Sequence, residues 1–385
     1  MEAGYPKLKP ALARSWRDLK TVQFGVTPAH AVVFGPLDVA SGSFLGLVDG
    51  TRGMPRLREE ARAMGLPEGQ ADRLVGRLAG AGLIEDGTAG GPAAQELRQR
   101  GALLERLEPE LGSLSLLRGE PGAALRGLAA RRAVRVRVRG GGRVGAVIAA
   151  VLSGAGVGQV EVMEGGLVEP QDVAPGGLPA RSVGRRRGPA LREAVSAAAP
   201  GPPPRAAERE GAGPPGGEPP LALVVVAPRD GLAGYAPDPS LAEEWITTGT
   251  PHLYAGVLEA TGFVGPLVLP GGTACAGCME RDRVDRDRAW PRMLTQWRSA
   301  RRRAAPSCDL GLAMAVAGLA AAQALAFLDG ELPGCAGARW QTSLPGLEWR
   351  REAVTARPDC PCGAALGGEG VGASGPPGAQ DTMTR

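Results

Sequence analysis

The spacing of apolar side chains changes along the first part of the chain, from a pattern typical of strands to one typical of helices. This spacing predicts where the strands and helices lie. Residues 22–26 and 31–34 are two short, mostly apolar runs separated by Pro28, which predicts two short strands. Between residues 54 and 86, apolar side chains recur at helical spacing in two successive runs, and glycines follow the second run, where a helix ends. Strands followed by two helices predict a small α+β domain of winged-helix-like outline over residues 16–88.

A domain of this outline serves either to read DNA or to capture a peptide. Its second helix carries Glu68, Asp72, Arg73 and Arg77, so acidic and basic groups share one surface. A DNA recognition helix presents mainly basic and amide side chains to base edges. An exposed strand edge beside a helix can instead bind an extended peptide as one more strand. We favour peptide binding, and DNA binding or a purely structural role are the alternatives.

The pattern changes in the middle of the chain. Residues 89–133 carry a helical stripe of leucines, and we interpret them as a helical spacer. From Val134, alternating valines predict a strand, which a glycine-rich turn joins to a helix over 143–153 and a second strand over 160–163. This order forms one βαβ unit, which is typical of an α/β fold with parallel strands. The sequence therefore predicts a second, α/β domain over residues 134–363.

Proline and glycine concentrate in two stretches of the second half. Residues 197–220 hold too few apolar side chains to offset the entropy lost on ordering, so we predict a disordered insert there. An apolar run follows at once and resumes the α/β domain. We predict a second disordered segment in the tail, over residues 364–385.

Composition narrows the class of protein. A chain of 385 residues with 43% hydrophobic residues is long enough for two or three domains with real cores. Lys and Arg total 44 against 40 Asp and Glu, a near-balance that does not imply bulk nucleic-acid binding. Six cysteines are too few for a disulfide scaffold, and the first residues lack the apolar segment of an export signal. We therefore expect a cytoplasmic protein with reduced thiols.

One apolar run raises the question of a membrane. Residues 310–328 are long enough to span a bilayer, yet they are mostly Ala and Gly and include Gln323. We expect a helix that packs inside the protein and no membrane association.

Three glycines mark a candidate nucleotide site. Gly140, Gly142 and Gly145 follow the first predicted strand of the βαβ unit and open its helix. In such a turn, bare backbone can approach a phosphate that the helix N-terminus faces. Glu164 stands at the end of the second strand, where a carboxylate can accept the hydroxyls of a ribose. The alternative is that these glycines only permit close packing in a sheet without a ligand.

Two cysteine pairs mark a candidate metal site. Cys275 and Cys278 form one pair, and Cys360 and Cys362 form another, each in a turn rich in Gly or Pro. Four thiolates complete a tetrahedral zinc site and leave no open position for catalysis, so the zinc would be structural. The alternatives are ordinary free thiols, or a site in which Cys308 replaces one member.

Together, these segments resemble a known family. They are the stretch from Gly140 to Glu164, VVVAPRDG at 224–231, HLYAGVLEATGFVGPLVLPGGTACAGC at 252–278, and VAGLAAAQALAFLDG at 316–330. The chain is similar over residues 134–363 to the ThiF/MoeB family of ubiquitin-activating-like adenylyltransferases. Its HLYAG, CAGC and CPCG segments and its front domain look most similar to the ThiF-like, leader-binding partner proteins of azoline-forming peptide cyclodehydratases. The front domain of those proteins resembles the PqqD-like element that grips a precursor's leader.

The resemblance implies a fold, cofactors and roles for individual residues. It implies an α/β, Rossmann-like nucleotide-binding domain with a zinc-stapled C-terminal part, using ATP and magnesium to adenylate a carboxylate. The glycine-rich turn and Glu164 then bind the nucleotide. By the same resemblance, Arg187 faces the phosphates, where the family has a lysine, and Asp230 holds magnesium.

Two positions depart from the family pattern. Asp172 stands where the family has an asparagine, and Pro175 stands where it has an arginine that faces the phosphates. Losing one such donor costs about 2–4 kcal/mol of transition-state stabilisation.

Two functions therefore stay open. The first is a protein that binds a precursor peptide or small protein and either adenylates it or presents it to a partner cyclodehydratase in ribosomal peptide modification. The second is a winged-helix DNA-binding regulator whose nucleotide fold senses a ligand or is purely structural. The resemblance also leaves room for a homodimer.

Overall fold

The computed structural model of the protein describes residues 4–203, 219–299 and 307–366. Its N-terminal end consists of short strands and helices. The chain divides into two units: one holds residues 1–134, 155–158 and 199–219, and the other holds the rest. Positions 204–218 of the predicted insert and 367–385 of the predicted tail lie outside the described residues.

Five strands and three helices begin the first unit. Strands β2, β3 and β4 form an antiparallel sheet in that order, and β1 pairs with β5 separately. Both predicted strands are present in shorter form as β3 and β4, and both predicted helices as α2 and α3. The elements are β1 (Pro6–Leu8), β2 (Arg14–Trp16), β3 (Val22–Phe24), β4 (Val32–Phe34), α1 (Val39–Phe44), α2 (Met54–Ala63), α3 (Gln70–Gly80) and β5 (Ile84–Asp86).

The apolar face of α3 explains where this module has its core. Leu74, Val75 and Leu78 are buried together with Phe24 and Phe44, as their helical spacing predicts. Asp38 starts α1 by accepting the backbone N–H of Ser41 at 2.7 Å, a bond that satisfies one of the free donors at the helix start.

The segment interpreted as a spacer forms four helices with an apolar cluster of their own. Leu103, Leu107, Leu114 and Leu128 are buried in it. Lys9, next to β1, is buried and donates from Nζ to the carbonyl oxygens of two residues at the end of the third helix, Ser115 and Arg118, the latter at 2.7 Å. The helices therefore pack as part of the first unit. They are α4 (Gly91–Arg98), α5 (Gly101–Arg106), α6 (Glu108–Leu117) and α7 (Ala123–Arg132).

A seven-stranded sheet forms the centre of the second unit. Its strand order is β12-β11-β10-β9-β8-β6-β7, parallel from β7 to β9 and antiparallel from β9 to β12. The predicted βαβ unit is confirmed as β6, α8 and β7. The strands are β6 (Arg135–Arg139), β7 (Gln159–Met163), β8 (Leu221–Val226), β9 (His252–Leu258), β10 (Thr261–Val268), β11 (Ala338–Ser343) and β12 (Arg350–Ala353).

The long apolar helix packs on this sheet. Ala313, Val316 and Ala320 are fully buried, and a Cβ added at Gly262 on β10 would lie 2.5 Å from Val316 Cγ2. Among the described helices, it is the one long and apolar enough to cross a membrane by length and composition. The helices of this unit are α8 (Arg143–Gly154), α9 (Arg187–Ala198), α10 (Gly231–Tyr235), α11 (Glu243–Thr247), α12 (Ala276–Arg286), α13 (Trp290–Ser299) and α14 (Leu310–Leu328).

Candidate nucleotide site and metal centre

A cavity of about 340 Å³ opens at the carboxyl ends of β6, β7 and β8. The chain passes from β6 to β7 on one side and then places β8 on the other side of β6, so the strand order reverses here. Ligands of open α/β sheets bind in the crevice at such a reversal. The walls include Arg139, Gly140, Glu164, Asp238 and Trp245.

Two of the three motif glycines are required by packing. Gly140 has a φ of +126°, and a Cβ there would lie 1.8 Å from the carbonyl oxygen of Ala227. A Cβ at Gly145 would lie 2.3 Å from the carbonyl oxygen of Gly140. The glycine-rich loop therefore packs tightly against the end of β8 and the start of α8. Close packing therefore accounts for these two glycines, and Gly140 also lines the cavity, while the predicted role of the motif in nucleotide binding stays a prediction.

The third motif glycine has a different neighbour. A Cβ at Gly142 would lie 2.9 Å from the Cγ atom of Arg229. This atom belongs to a side chain, which can move more easily than the backbone. The space that Gly142 leaves free is thus filled by an arginine side chain from the loop after β8.

Glu164 lies where the sequence places it, at the end of β7 and in the cavity wall. Its carboxylate is 3.5 Å from Nη1 of Arg187, and its side chain is one-quarter exposed. Asp238 also lines the cavity, and it accepts the hydroxyl and backbone N–H of Ser240, bonds that hold the pKa of its carboxyl below the usual range. Two carboxylates and Arg139 therefore place charged groups in a cavity whose lining is otherwise mostly apolar.

Arg187 is enclosed by the loop between β7 and α9. Its side chain is 3% exposed, and its guanidinium donates to the carbonyl oxygens of Gly165 and Leu167. It also donates to Asp172 Oδ2 at 3.0 Å, and Asp172 is buried to the same extent. The predicted phosphate-facing cation is thus bound to protein groups, and its predicted role is untested.

Arg229 belongs to the same cluster, although it is not among the site residues that the sequence predicts. Its Nε donates to Asp172 Oδ1 at 2.7 Å, and its Nη2 is 2.9 Å from Glu169 Oε2. Its side chain is 20% exposed, against 3% for that of Arg187. The signal in the sequence was its position directly before Asp230, in the loop that leaves β8.

Asp230 begins α10. Its carboxylate accepts the backbone N–H of Leu232 at 3.0 Å, an N-cap bond. Ala233, on the next turn, lines the cavity. The structure therefore brings Gly140 and Glu164 into the cavity wall and places Asp230 on the short helix beside it.

The four predicted metal-ligating cysteines meet at one place. Sγ of Cys275 is 3.9 Å from that of Cys278 and 3.5 Å from that of Cys360, and Sγ of Cys362 is 3.6 Å from that of Cys278. All four sulfurs lie within 4.8 Å of one another. Zn–S bonds of about 2.3 Å in a tetrahedron place sulfurs about 3.8 Å apart, so this cluster fits a metal ion of that size.

The short spacing of the second cysteine pair is no obstacle to this geometry. Cys360 lies against Cys275 and Cys362 against Cys278, so the two pairs interlock. Donation from Cys275 lowers the pKa of the Cys278 thiol to about 4, and the backbone N–H of Arg357 also donates to that sulfur. Cys308 lies outside the cluster.

Comparisons with known proteins agree with this architecture. The sequence profile of the ThiF family matches residues 121–363. Among solved structures, E. coli MccB with succinimide is 14% identical with a TM-score of 0.64, covering 94% of this chain and 99% of that one. The microcin C7 biosynthetic enzyme MccB in complex with N-formylated MccA is 13% identical, with a TM-score of 0.64, covering 93% of this chain and 99% of that one.

PaaA gives the same result at 18% identity and a TM-score of 0.62, covering 90% of this chain and 99% of that one. No curated protein matches the chain at a significant level. At such low identities the solved structures show a shared fold. Since the family profile covers more than half of the sequence and ends at the cysteine cluster, the chain belongs to the ThiF family.

Proposed function

We propose that this protein binds ATP with magnesium in the cavity at the ends of β6 and β7 and uses it to adenylate the carboxylate of a peptide or small protein. The observation that carries the proposal is the position of Gly140 and Glu164 in the wall of that one cavity. Backbone near a helix N-terminus suits a phosphate, and a carboxylate at the end of the next strand suits the ribose hydroxyls. ATP would supply an adenylyl group to the substrate carboxylate, with pyrophosphate as the leaving group.

The protein's own residues have separate tasks in this proposal. Glu164 accepts hydrogen bonds from the ribose and so fixes the nucleotide against β7. Asp230 offers the carboxylate oxygen for magnesium, and its N-cap bond to Leu232 holds that carboxylate at the start of α10. Arg187 contributes positive charge near the phosphates, and to touch them it would have to exchange its bond with Asp172.

We further propose that the cysteine cluster holds a structural zinc ion. Four thiolates satisfy the metal and leave no position for water or substrate. The zinc then fixes α12 and the turn that carries Cys360 and Cys362, and it takes no part in the adenylation chemistry.

The first unit is proposed to bind the peptide. Strand β4 is an outer strand of its sheet, Val33 on it is 52% exposed, and α3 lies beside it. Arg77 of α3 donates to the carbonyl oxygen of Gly35 at 2.8 Å and lies over the Phe34 ring at 4.6 Å. An extended peptide would pair with β4 along this line. MccB has been solved with an MccA peptide, which supports a peptide substrate here.

The contacts of α3 favour a peptide over DNA. Arg73 donates to Gln70 and to the carbonyl oxygen of Glu68, and Asp72 forms an ion pair with Arg58. With Arg77 also engaged, the basic groups of this helix are bound to protein atoms and are not arrayed toward base edges. A winged-helix regulator is therefore the weaker proposal.

A second candidate function follows from the enclosed arginine. If Arg187 does not release Asp172 and no other cation reaches the phosphates, adenylation is lost and the protein would present its peptide to a partner cyclodehydratase in the cytoplasm. The observation that favours this candidate is that the side chains of Arg187 and Asp172 are each only 3% exposed.

Calorimetry with Mg·ATP and with its non-cleavable analogue AMPCPP tests nucleotide binding. We expect both to bind, and Glu164→Gln to weaken adenosine and ATP alike. Exposed Glu243→Gln, at the start of α11, is the matched control. Wild-type protein that gives no heat with either nucleotide contradicts the proposal. Peptide-dependent exchange of pyrophosphate into ATP separates the candidates, since only the adenylating protein shows it.

A further inference from the structure

We propose that Arg229 is the residue with which this protein binds the phosphates of its nucleotide, and that Asp172 holds it ready. The inference rests on the proposed function, because it names a cation at the glycine-rich turn beside that cavity, directly after the cavity-lining Pro228. It also gives Arg187 a different task, that of positioning Asp172.

The position of Arg229 is the first support. In glycine-rich nucleotide turns, the second glycine leaves room for the pyrophosphate to approach the backbone. Here a Cβ at Gly142 would lie 2.9 Å from Arg229 Cγ, so the arginine side chain passes over that same backbone. A phosphate that approached Gly142 would meet the side chain of Arg229.

The second support is how each arginine is bound. Arg187 donates to two carbonyl oxygens and to Asp172, and its side chain is 3% exposed. Arg229 is 20% exposed and is held on one side, through Nε to Asp172 and Nη2 to Glu169. Glu169 is itself half-exposed, so its bond to Arg229 can be exchanged for one to a ligand at low cost.

The charges of the cluster complete the argument. Asp172 is buried and accepts from both arginines, one on each carboxylate oxygen, which fixes the plane of Arg229. Its Oδ2 also accepts the backbone N–H of Glu169 at 2.9 Å. Glu169 Oε2 is 2.9 Å from Arg229, whereas its Oε1 is 3.9 Å from Arg187, so the closer partner of Glu169 is Arg229. A polyphosphate therefore competes with Glu169 for one guanidinium.

Two roles of Arg229, binding the phosphates or blocking the space at Gly142, predict opposite effects of its removal on ATP affinity. If Arg229 binds phosphate, its removal weakens ATP and leaves adenosine unaffected, because adenosine has no phosphate. If it only fills the space at Gly142, its removal strengthens ATP binding. The two cases differ in sign.

The test is calorimetry of Mg·ATP, AMPCPP and adenosine with full-length wild type, Arg229→Gln, Arg229→Lys and Glu169→Gln. We expect Arg229→Gln to weaken ATP by about tenfold to a hundredfold, the range of a charge-assisted hydrogen bond, with adenosine unchanged within twofold. Arg229→Lys should retain part of the affinity. Glu169→Gln should tighten ATP severalfold, since it removes the competing carboxylate.

Arg186→Gln is the matched control, because Arg186 is exposed on the same loop and takes no part in the Asp172 ion pairs. Thermal unfolding of each variant checks that the fold is intact, and Glu169→Gln keeps the test valid if Arg229→Gln unfolds. ATP affinity in Arg229→Gln equal to or above that of wild type overturns the inference while the proposed function stands. A wild type that binds neither adenosine nor ATP removes both.

Discussion

Arg283 donates from Nη2 to the backbone carbonyl oxygen of Tyr235 at 2.7 Å. Arg283 lies on α12, the helix that starts at Cys275 of the cysteine cluster, and Tyr235 is the last residue of α10, the helix that starts after Asp230. Arg339 on β11 donates to the same carbonyl oxygen at 3.0 Å. One backbone oxygen thus connects the helix of the cysteine cluster to the helix beside the cavity, so a change at the cluster should affect both places.

Removal of the metal should destabilise the protein strongly. Without it, four thiols within 4.8 Å of one another lose the ion that holds α12 against the C-terminal turn. Binding energy at a structural zinc site is also folding energy, so we expect Cys278→Ser or a strong chelator to lower the melting temperature by about 10 °C or more. Cys308→Ser is the control, and equal losses in both variants would contradict the assignment of the cluster.

Arg283→Met should weaken nucleotide binding without loss of metal. The substitution removes the bond to Tyr235 and keeps an apolar side chain beside Trp290, over which Arg283 now lies at 5.0 Å. We expect the affinity for Mg·ATP to fall about threefold to tenfold, since the Tyr235 carbonyl oxygen at the end of α10 loses one of its two arginine donors. Zinc content by mass spectrometry should stay at one ion per chain. Unchanged affinity would show that α10 is held by other contacts.

Two glycine substitutions should separate packing from ligand binding. Gly140→Ala forces a Cβ to 1.8 Å from the Ala227 carbonyl oxygen in a left-handed backbone, and we expect a loss of about 3 kcal/mol or more in the free energy of unfolding. Gly142→Ala presses on Cγ of Arg229, whose guanidinium Asp172 holds, so we expect a smaller cost of about 1–2 kcal/mol together with a loss of ATP affinity. Denaturant unfolding measures the first effect and calorimetry the second.

The sequence predicts the βαβ unit and the cysteine cluster because their signals are local. Five alternating positions fix β6, and each cysteine pair lies within a single turn. The strand Arg14–Trp16 was missed since all three of its side chains are exposed and show no alternation. Backbone hydrogen bonds pair this strand with β3, and the side-chain pattern does not reveal them.

The ion cluster was also beyond sequence reasoning. Asp172 and Arg229 are 57 positions apart, and neither stands in a pattern that marks it as buried. The contact of Lys9 with the carbonyl oxygen of Arg118 spans 109 positions. It shows that the stretch interpreted as a spacer packs on the first module. Whether a charged residue is buried depends on the partner that the fold brings to it, so the sequence around that residue does not predict its burial.

The stability of the second unit should fall in mild acid because of His252. The imidazole is fully buried between Trp245 and Tyr254, with Nδ1 3.1 Å from the carbonyl oxygen of Thr250, and burial lowers its pKa from 6.5 to about 4. The unfolded chain therefore binds this proton more tightly than the folded one. The stabilisation from the neutral ring is complete above about pH 6.5 and is lost as the pH falls toward 4.

Over that interval, we expect the free energy of unfolding to drop by up to about 1.4 kcal/mol per pH unit from this group. His252→Gln keeps a neutral polar side chain and should flatten the slope, whatever its effect on stability at pH 7. Exposed His30→Gln is the matched control and should leave the slope as it is. Denaturant unfolding at several values between pH 4.5 and 7.5 measures both, and an unaltered slope in His252→Gln would assign the acid sensitivity to other groups.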